Sequence, residues 1–211
     1  MIIGSTSLSG NLTKHVFYSS MSDFTILKNF KVKVHPPKAP VIKEVIWHPP
    51  ILNWTKCNID GAATSTTSSC GGIFRNHLAD FIGCFAERLT LCSAFFAEVS
   101  GALRTLELAS QNNWTNLWIE TDSALLVLAF KSSSMIPWSL RNRWNNALLK
   151  SKNMNLLVTH IYREGNVCAD RLANIGLNLV NFTFWNSLPI ALCSNFNRDK
   201  LGLPSYRFTS F

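Results

Sequence analysis

KCNIDGAATS, residues 56–65, reads as a strand that runs into a turn of small residues. The last strand position holds Asp60, and Gly61 follows directly. Aspartate is depleted in strands because its short side chain competes for backbone hydrogen bonds. A carboxylate at this point therefore asks for a reason beyond local structure.

Outward from this stretch the chain alternates. Strand-like patterning begins at WTKCNIDG (54–61). GGIFRN (71–76) and DFIGCFAE (80–87) read as two short strands joined by NHLA, a hairpin connection. SAFFAEVSGALRTLELASQNN (93–113) is the clearest helix. Phe95, Val99, Ala102, Leu106 and Ala109 recur at steps of four and three. TNLWIETD (115–122) is a mostly apolar strand ending in Asp122, and SALLVLAFKS (123–132) is a helix ending near Ser132. PWSLRNRWNNALLKSK (137–152) opens with Pro137 at a helix start. NLLVTHIY (155–162) is a strand and GNVCADRLANIGL (165–177) a helix. Strands alternating with helices predict an α/β fold with a partly parallel sheet covered by helices.

Composition sets the outer bounds. The 211 residues are 47% apolar and 11% aromatic, enough to bury a core. A net charge of +8 favours an anionic partner, of which nucleic acid is the commonest. The chain contains no apolar run of membrane-spanning length. Its start lacks the basic and apolar regions of a secretory signal. The expectation is an intracellular protein, nuclear or cytoplasmic and not secreted, in which the sequons at Asn11, Asn53, Asn113 and Asn181 are coincidental. No membrane contact and no protein partner is expected, and the chain is expected to be a monomer. The six cysteines form no C-x-x-C pair and read as buried reduced thiols rather than a zinc site. Residues 1–51, rich in proline and lysine toward their end, read as a poorly ordered leader. Residues 52–180 form the domain, and 181–211 an aromatic tail with proline breaks.

Four carboxylates stand out. Asp60 and Asp122 end strands that, if adjacent and parallel, reach the same sheet edge. Glu98 lies three after Phe95 and four before Ala102, beside the apolar stripe, where an unpaired carboxylate is costly. Asp170 follows Asn166 by one helical turn, so the two share a face. Three of the four have an ordinary structural explanation: a helix cap for Asp122, the helix dipole for Asp170, a turn for Asp60. Glu98 has none. Carboxylates converging on one point repel unless a cation neutralises them. With no His or Cys cluster beside them, hard oxygen-liganded Mg²⁺ is the fitting ion.

NIDGAA (58–63), AEVSGAL (97–103), IETDS (119–123) and YREGNVCADRLAN (162–174) resemble, in order and spacing, the type 1 ribonuclease H family. The likeness is nearest to the reverse-transcriptase-like members common in plants and derived from non-LTR retroelements. GGIFRN and IPWSLRNRWNNAL also resemble that group. The resemblance implies a five-stranded mixed sheet, strands one to three antiparallel, flanked by helices. It implies cleavage of the RNA strand of RNA–DNA hybrids with two Mg²⁺ ions, or Mn²⁺ in their place. It places the metal-binding, catalytic carboxylates at Asp60, Glu98, Asp122 and Asp170. Gly61 would let a phosphate approach closely, and Asn166, Arg141 and Arg143 would contact nucleic acid. Arg141 and Arg143 lie in a segment with Lys150, Lys152 and no acid, while Trp138 and Trp144 read as core. Two departures stand out. The loop before the last helix, REGN (163–166), lacks the histidine many relatives carry, and His160 sits within a strand. Ala94 and Ala124 replace polar residues that read the hybrid in bacterial relatives. These departures leave open a nucleic-acid-binding module with little turnover, or a retroelement remnant.

Overall fold

The computed structural model describes residues 2–12, 20–33 and 40–209. These divide into two compact units, 1–43 with 208–211, and 44–207. In the first, helix α1 (Ile2–Leu12) and helix α2 (Met21–Asn29) form within what the sequence suggested was a leader. Ser20 caps α2 by accepting from the Asp23 amide, and Asn11 Oδ1 accepts from the Lys33 amide at 2.6 Å. Residues 34–39, in the expected proline–lysine linker, lie outside the described residues. Strand β1 (Val41–Val45) pairs with β8 (Ser205–Thr209) as a separate two-stranded sheet.

The larger unit contains the domain. Strands β2 (Thr55–Ala63), β3 (Ser68–Arg75) and β4 (Phe81–Leu89) form an antiparallel meander. Helix α3 (Ala94–Gln111) crosses to β5 (Asn116–Thr121), which lies parallel to β2. Helices α4 (Ala124–Lys131) and α5 (Arg141–Lys150) lead to β6 (Asn155–His160), parallel to β5. Helix α6 (Val167–Gly176) follows. The alternation read from the sequence is present in order. The α5 segment differs in detail, because a 3₁₀ turn at Trp138–Leu140 precedes the helix.

The main sheet has six strands, in the order β6-β5-β2-β3-β4-β7, rather than five. The added strand is β7 (Thr183–Trp185), from the segment read as a tail. Helix α7 (Cys193–Lys200) follows, with Leu192 and Phe196 buried against Ile73, Cys84 and Leu172. The aromatic and apolar residues of this segment thus add a strand to the sheet and pack at the edge of the α6-covered face.

β2 and β3 are almost wholly buried, as strands covered on both faces must be. Cys57 and Ile59 pack with Val99, Leu103 and Leu106 of α3 in the main core. Two glycines fix how near the helices come. A Cβ on Gly61 would stand 2.6 Å from the backbone nitrogen of Glu98, and one on Gly71 would stand 2.5 Å from that of Ala173. Asp60 precedes Gly61 and pairs with Gly71. The backbones of α3 and α6 therefore close on the sheet where the aspartate sits.

Candidate metal centre

Asp60 lies within β2 rather than at its end. Pairing with β3 continues to Ala63, but parallel pairing with β5 stops at Ile59 and Thr121. On the β5 side, Asp60 and Asp122 are thus the first residues past the ladder. Ser123, not Asp122, caps α4 by accepting from the Leu126 amide, which leaves the Asp122 carboxylate unused by the helix. Glu98 sits in the second turn of α3, drawn against β2 by the bare backbone of Gly61.

These placements bring Asp60, Glu98 and Asp122 together. One carboxylate oxygen of each lies within 4.8 Å of the others. Asp60 and Glu98 are buried, and Asp122 is partly so. Burial, then repulsion from Asp122, pushes Asp60 up to about 7. Burial, then repulsion from Asp60 and Asp122, pushes Glu98 up to about 9. Asp122 is raised chiefly by burial, with its own backbone and Arg163 acting in the opposite sense. The Gly61 amide donates to Asp60 Oδ1 at 2.8 Å, and Thr121 Oγ1 donates to Glu98 Oε2 at 3.2 Å. Asp122 Oδ1 is buried with no hydrogen-bond partner.

That unpartnered oxygen, beside two carboxylates that burial and repulsion disfavour as anions, makes a set of groups that a bound cation would satisfy. The donor set is all oxygen, so the residues fit a hard divalent ion.

Asp170 stands apart from this trio. It accepts from Arg163 Nη2 at 2.7 Å and from Asn174 Nδ2 at 3.3 Å, although its charge still bears on Asp60 and Asp122. Arg163 is 72% exposed, so the pair can open at little cost. A small cavity beside them is lined by Arg163, Glu164, Val167 and Asp170. Arg163, at the start of the loop that lacks a histidine, is thus a cation tied to the acidic centre: it pairs with Asp170 and acts on Asp122. His160 ends β6 in register with Thr121, next to Asp122 in the chain.

The residues expected to contact nucleic acid fare differently. The side of Gly61 where a Cβ would stand is filled by α3, so close helix packing explains this glycine rather than phosphate approach. Asn166 is 1% exposed; its Nδ2 donates to the Ile59 carbonyl at 2.9 Å and its Oδ1 accepts from Asn58 at 3.2 Å. It ties the start of α6 to β2 and does not face solvent. Arg143 is paired with Glu107 of α3 through Nε at 2.6 Å and Nη2 at 2.7 Å. The segment has no acid of its own, but the neighbouring helix supplies one. Arg141 remains exposed, with Nε donating to the Ile136 carbonyl at 3.3 Å. Trp144 is core, as read, whereas Trp138 is 85% exposed beside Arg141's helix.

Sequence reading missed Thr121, which holds Glu98, and Glu107, which neutralises Arg143. The threonine was visible in the IETDS motif, but only the fold shows which carboxylate it meets.

A sequence profile of the reverse transcriptase-like family matches residues 58–176. A protein of Arabidopsis thaliana whose name assigns it provisionally to ribonuclease H is 31% identical over 169 residues, covering 77% of this chain. The chain spans 27% of that relative's length. Among solved structures, the RNase H1 of the archaeon Halobacterium salinarum superposes with a TM-score of 0.54 at 19% identity, over 59% of this chain and 98% of that one. LC11-RNase H1, from compost and solved with an RNA/DNA hybrid, gives 0.52 at 18% identity, over 59% and 96%. At such identities these likenesses establish the fold. The profile match covers more than half of the chain, and the chain belongs to the reverse transcriptase-like family, built on a ribonuclease H fold.

Proposed function

We propose that this chain cleaves the RNA strand of RNA–DNA hybrids by Mg²⁺-dependent hydrolysis of a phosphodiester. The observation that carries this reading is the convergence of Asp60, Glu98 and Asp122 within 4.8 Å, with one Asp122 oxygen buried and unpartnered. The ribonuclease H fold and a relative solved with a hybrid support the choice of substrate. The net charge of +8 supports an anionic one.

Asp60, Glu98 and Asp122 would hold the ion, and Asp170 would join them when Arg163 releases it. A hard divalent ion held there would supply Lewis acidity to the attacking water and to the phosphate oxygens. The protein's own part is positional. The Gly61 amide fixes one oxygen of Asp60, and Thr121 fixes one oxygen of Glu98. Arg163, once free of Asp170, is a guanidinium beside the acids that can meet a phosphate.

The Arg163–Asp170 pair also favours a second reading, a module that binds nucleic acid while one of its carboxylates stays engaged. Labelled RNA–DNA hybrid, single-stranded RNA and duplex DNA, each incubated with Mg²⁺, separate the two. The ribonuclease reading expects cuts in the hybrid's RNA strand and not in the DNA. Binding of the hybrid without any cut selects the second reading.

A further inference from the structure

A buried polar network lies between the sheet and the start of α6, and part of it comes from outside the family-matched span. Its centre is Arg75, 1% exposed at the end of β3. Arg75 Nη1 donates to Asp199 Oδ2 on α7 at 2.6 Å, and Nη2 donates to Asn58 Oδ1 at 2.7 Å. The guanidinium also lies 3.6 Å from the centre of the Trp47 ring. Trp47 Nε1 donates to the same Asn58 oxygen at 2.7 Å. With that oxygen accepting two donors, the Asn58 amide can point only one way. Its Nδ2 then donates to Glu120 at 2.9 Å and to Asn166 at 3.2 Å. Asn166 in turn holds the Ile59 carbonyl, the residue before Asp60, and its own carbonyl accepts the Ala169 and Asp170 amides at 3.1 Å.

We infer that Arg75, clamped by Trp47 and Asp199, is a positioning residue for Asp170: it orients Asn58, Asn58 orients Asn166, and Asn166 sets the first turn of α6 against β2. Family-matched residues 58–176 contain Arg75, Asn58 and Asn166 but neither end of the clamp. A guanidinium buried this deeply needs its carboxylate, and Asp199 is its sole salt-bridge partner among the described residues. Asp199 also accepts from the Cys168 thiol of α6 at 3.6 Å, a second contact with the same helix. The chain flanking the domain therefore acts on the acidic centre without touching it. The part of this inference that concerns catalysis rests on the ribonuclease reading. The geometric part does not.

Hydrogen exchange on the whole, metal-free chain tests it. In Asp199→Ala, exchange at the Ala169 and Asp170 amides should rise about tenfold, while that at Ala102 and Leu106 of α3 stays within about twofold. Where the protein cleaves hybrid, kcat should fall in this variant with KM for hybrid unchanged. Trp47→Phe keeps a ring over Arg75 and removes only the donor to Asn58. It should shift the same two amides in the same direction, and it decides the matter if Asp199→Ala does not fold. Unchanged exchange at Ala169 and Asp170, or an equal rise in α3, would overturn the relay. If the wild type leaves hybrid intact, the ribonuclease reading falls, and the exchange comparison still stands or fails by itself.

Discussion

Asp60 and Glu98 share a problem that a cation would solve. In the metal-free protein their folded pKa values, about 7 and about 9, stand above the ordinary 3.8 and 4.5. Across that window the native state keeps protons that the unfolded chain has released. The associated stability is present at acid pH and is lost as pH rises through the folded values. Denaturant unfolding in a chelator should therefore show stability falling from about pH 5 to about pH 9, on the order of a few kcal/mol. Mg²⁺ should restore more stability at the alkaline end than at the acid end, because it binds the anions. A flat profile in the chelator, or a Mg²⁺ effect independent of pH, would speak against a shared site. At this scale the sequence was legible where chemistry and pattern conflict, as with Glu98 beside an apolar stripe. It was not legible where a partner lies far along the chain. Arg143 looked like a free cation because Glu107 is 36 residues away. Asn166 looked like a surface ligand because Asn58 is 108 residues away.

At the scale of elements, the site exists because two helices approach one pair of strands closely. Gly61→Ala would set a methyl 2.6 Å from the α3 backbone and should destabilise the fold by about 1–3 kcal/mol. In Gly101→Ala, in the interior of α3, the added Cβ would meet the Cys70 side chain at 3.4 Å and the Asp60 carbonyl oxygen and Ile59 Cβ at 3.8 Å, all within ordinary contact. There the gain in helix propensity, up to about 1 kcal/mol, offsets the contact. Urea midpoints of the two variants should move apart, and equal losses would contradict the packing role given to Gly61. The basic segment around α5 divides in the same way. Arg143 is committed to Glu107 and Arg141 is not, so their alanine variants should behave differently in hybrid binding. Arg141→Ala should lower the slope of log affinity against log salt by about 0.7–0.9, while Arg143→Ala leaves the slope unchanged and lowers stability. A salt titration in which Arg143→Ala carries the larger slope change would reverse the assignment. Helix and strand order was readable here because apolar periods of two and near four survive in β2, α3 and β5. The 3₁₀ entry to α5 was not, since Pro137 marks where a helix begins but not which kind of turn opens it.

At the scale of the whole molecule, the folded unit around the acidic centre is larger than the family-matched span. β7 joins the sheet, α7 supplies Asp199, and Trp47 comes from before β2. None of these carries a recognisable motif. The sequence read them as parts of a poorly ordered leader and an aromatic tail, and only the fold shows where they pack. Four motifs in order pointed to the architecture and to four acids at one centre; the structure gathers three of them, with Asp170 paired to Arg163 beside them. The central claim is that this cluster holds Mg²⁺ to cleave the RNA of a hybrid, and Asp122→Asn tests it most directly. The substitution keeps the size of the side chain and removes the charge at a carboxylate whose Oδ1 is buried without a partner. Cleavage of labelled hybrid in Mg²⁺ should fall to the level seen in a chelator, while hybrid binding without metal stays at the wild-type level. Full cleavage by Asp122→Asn would contradict the account.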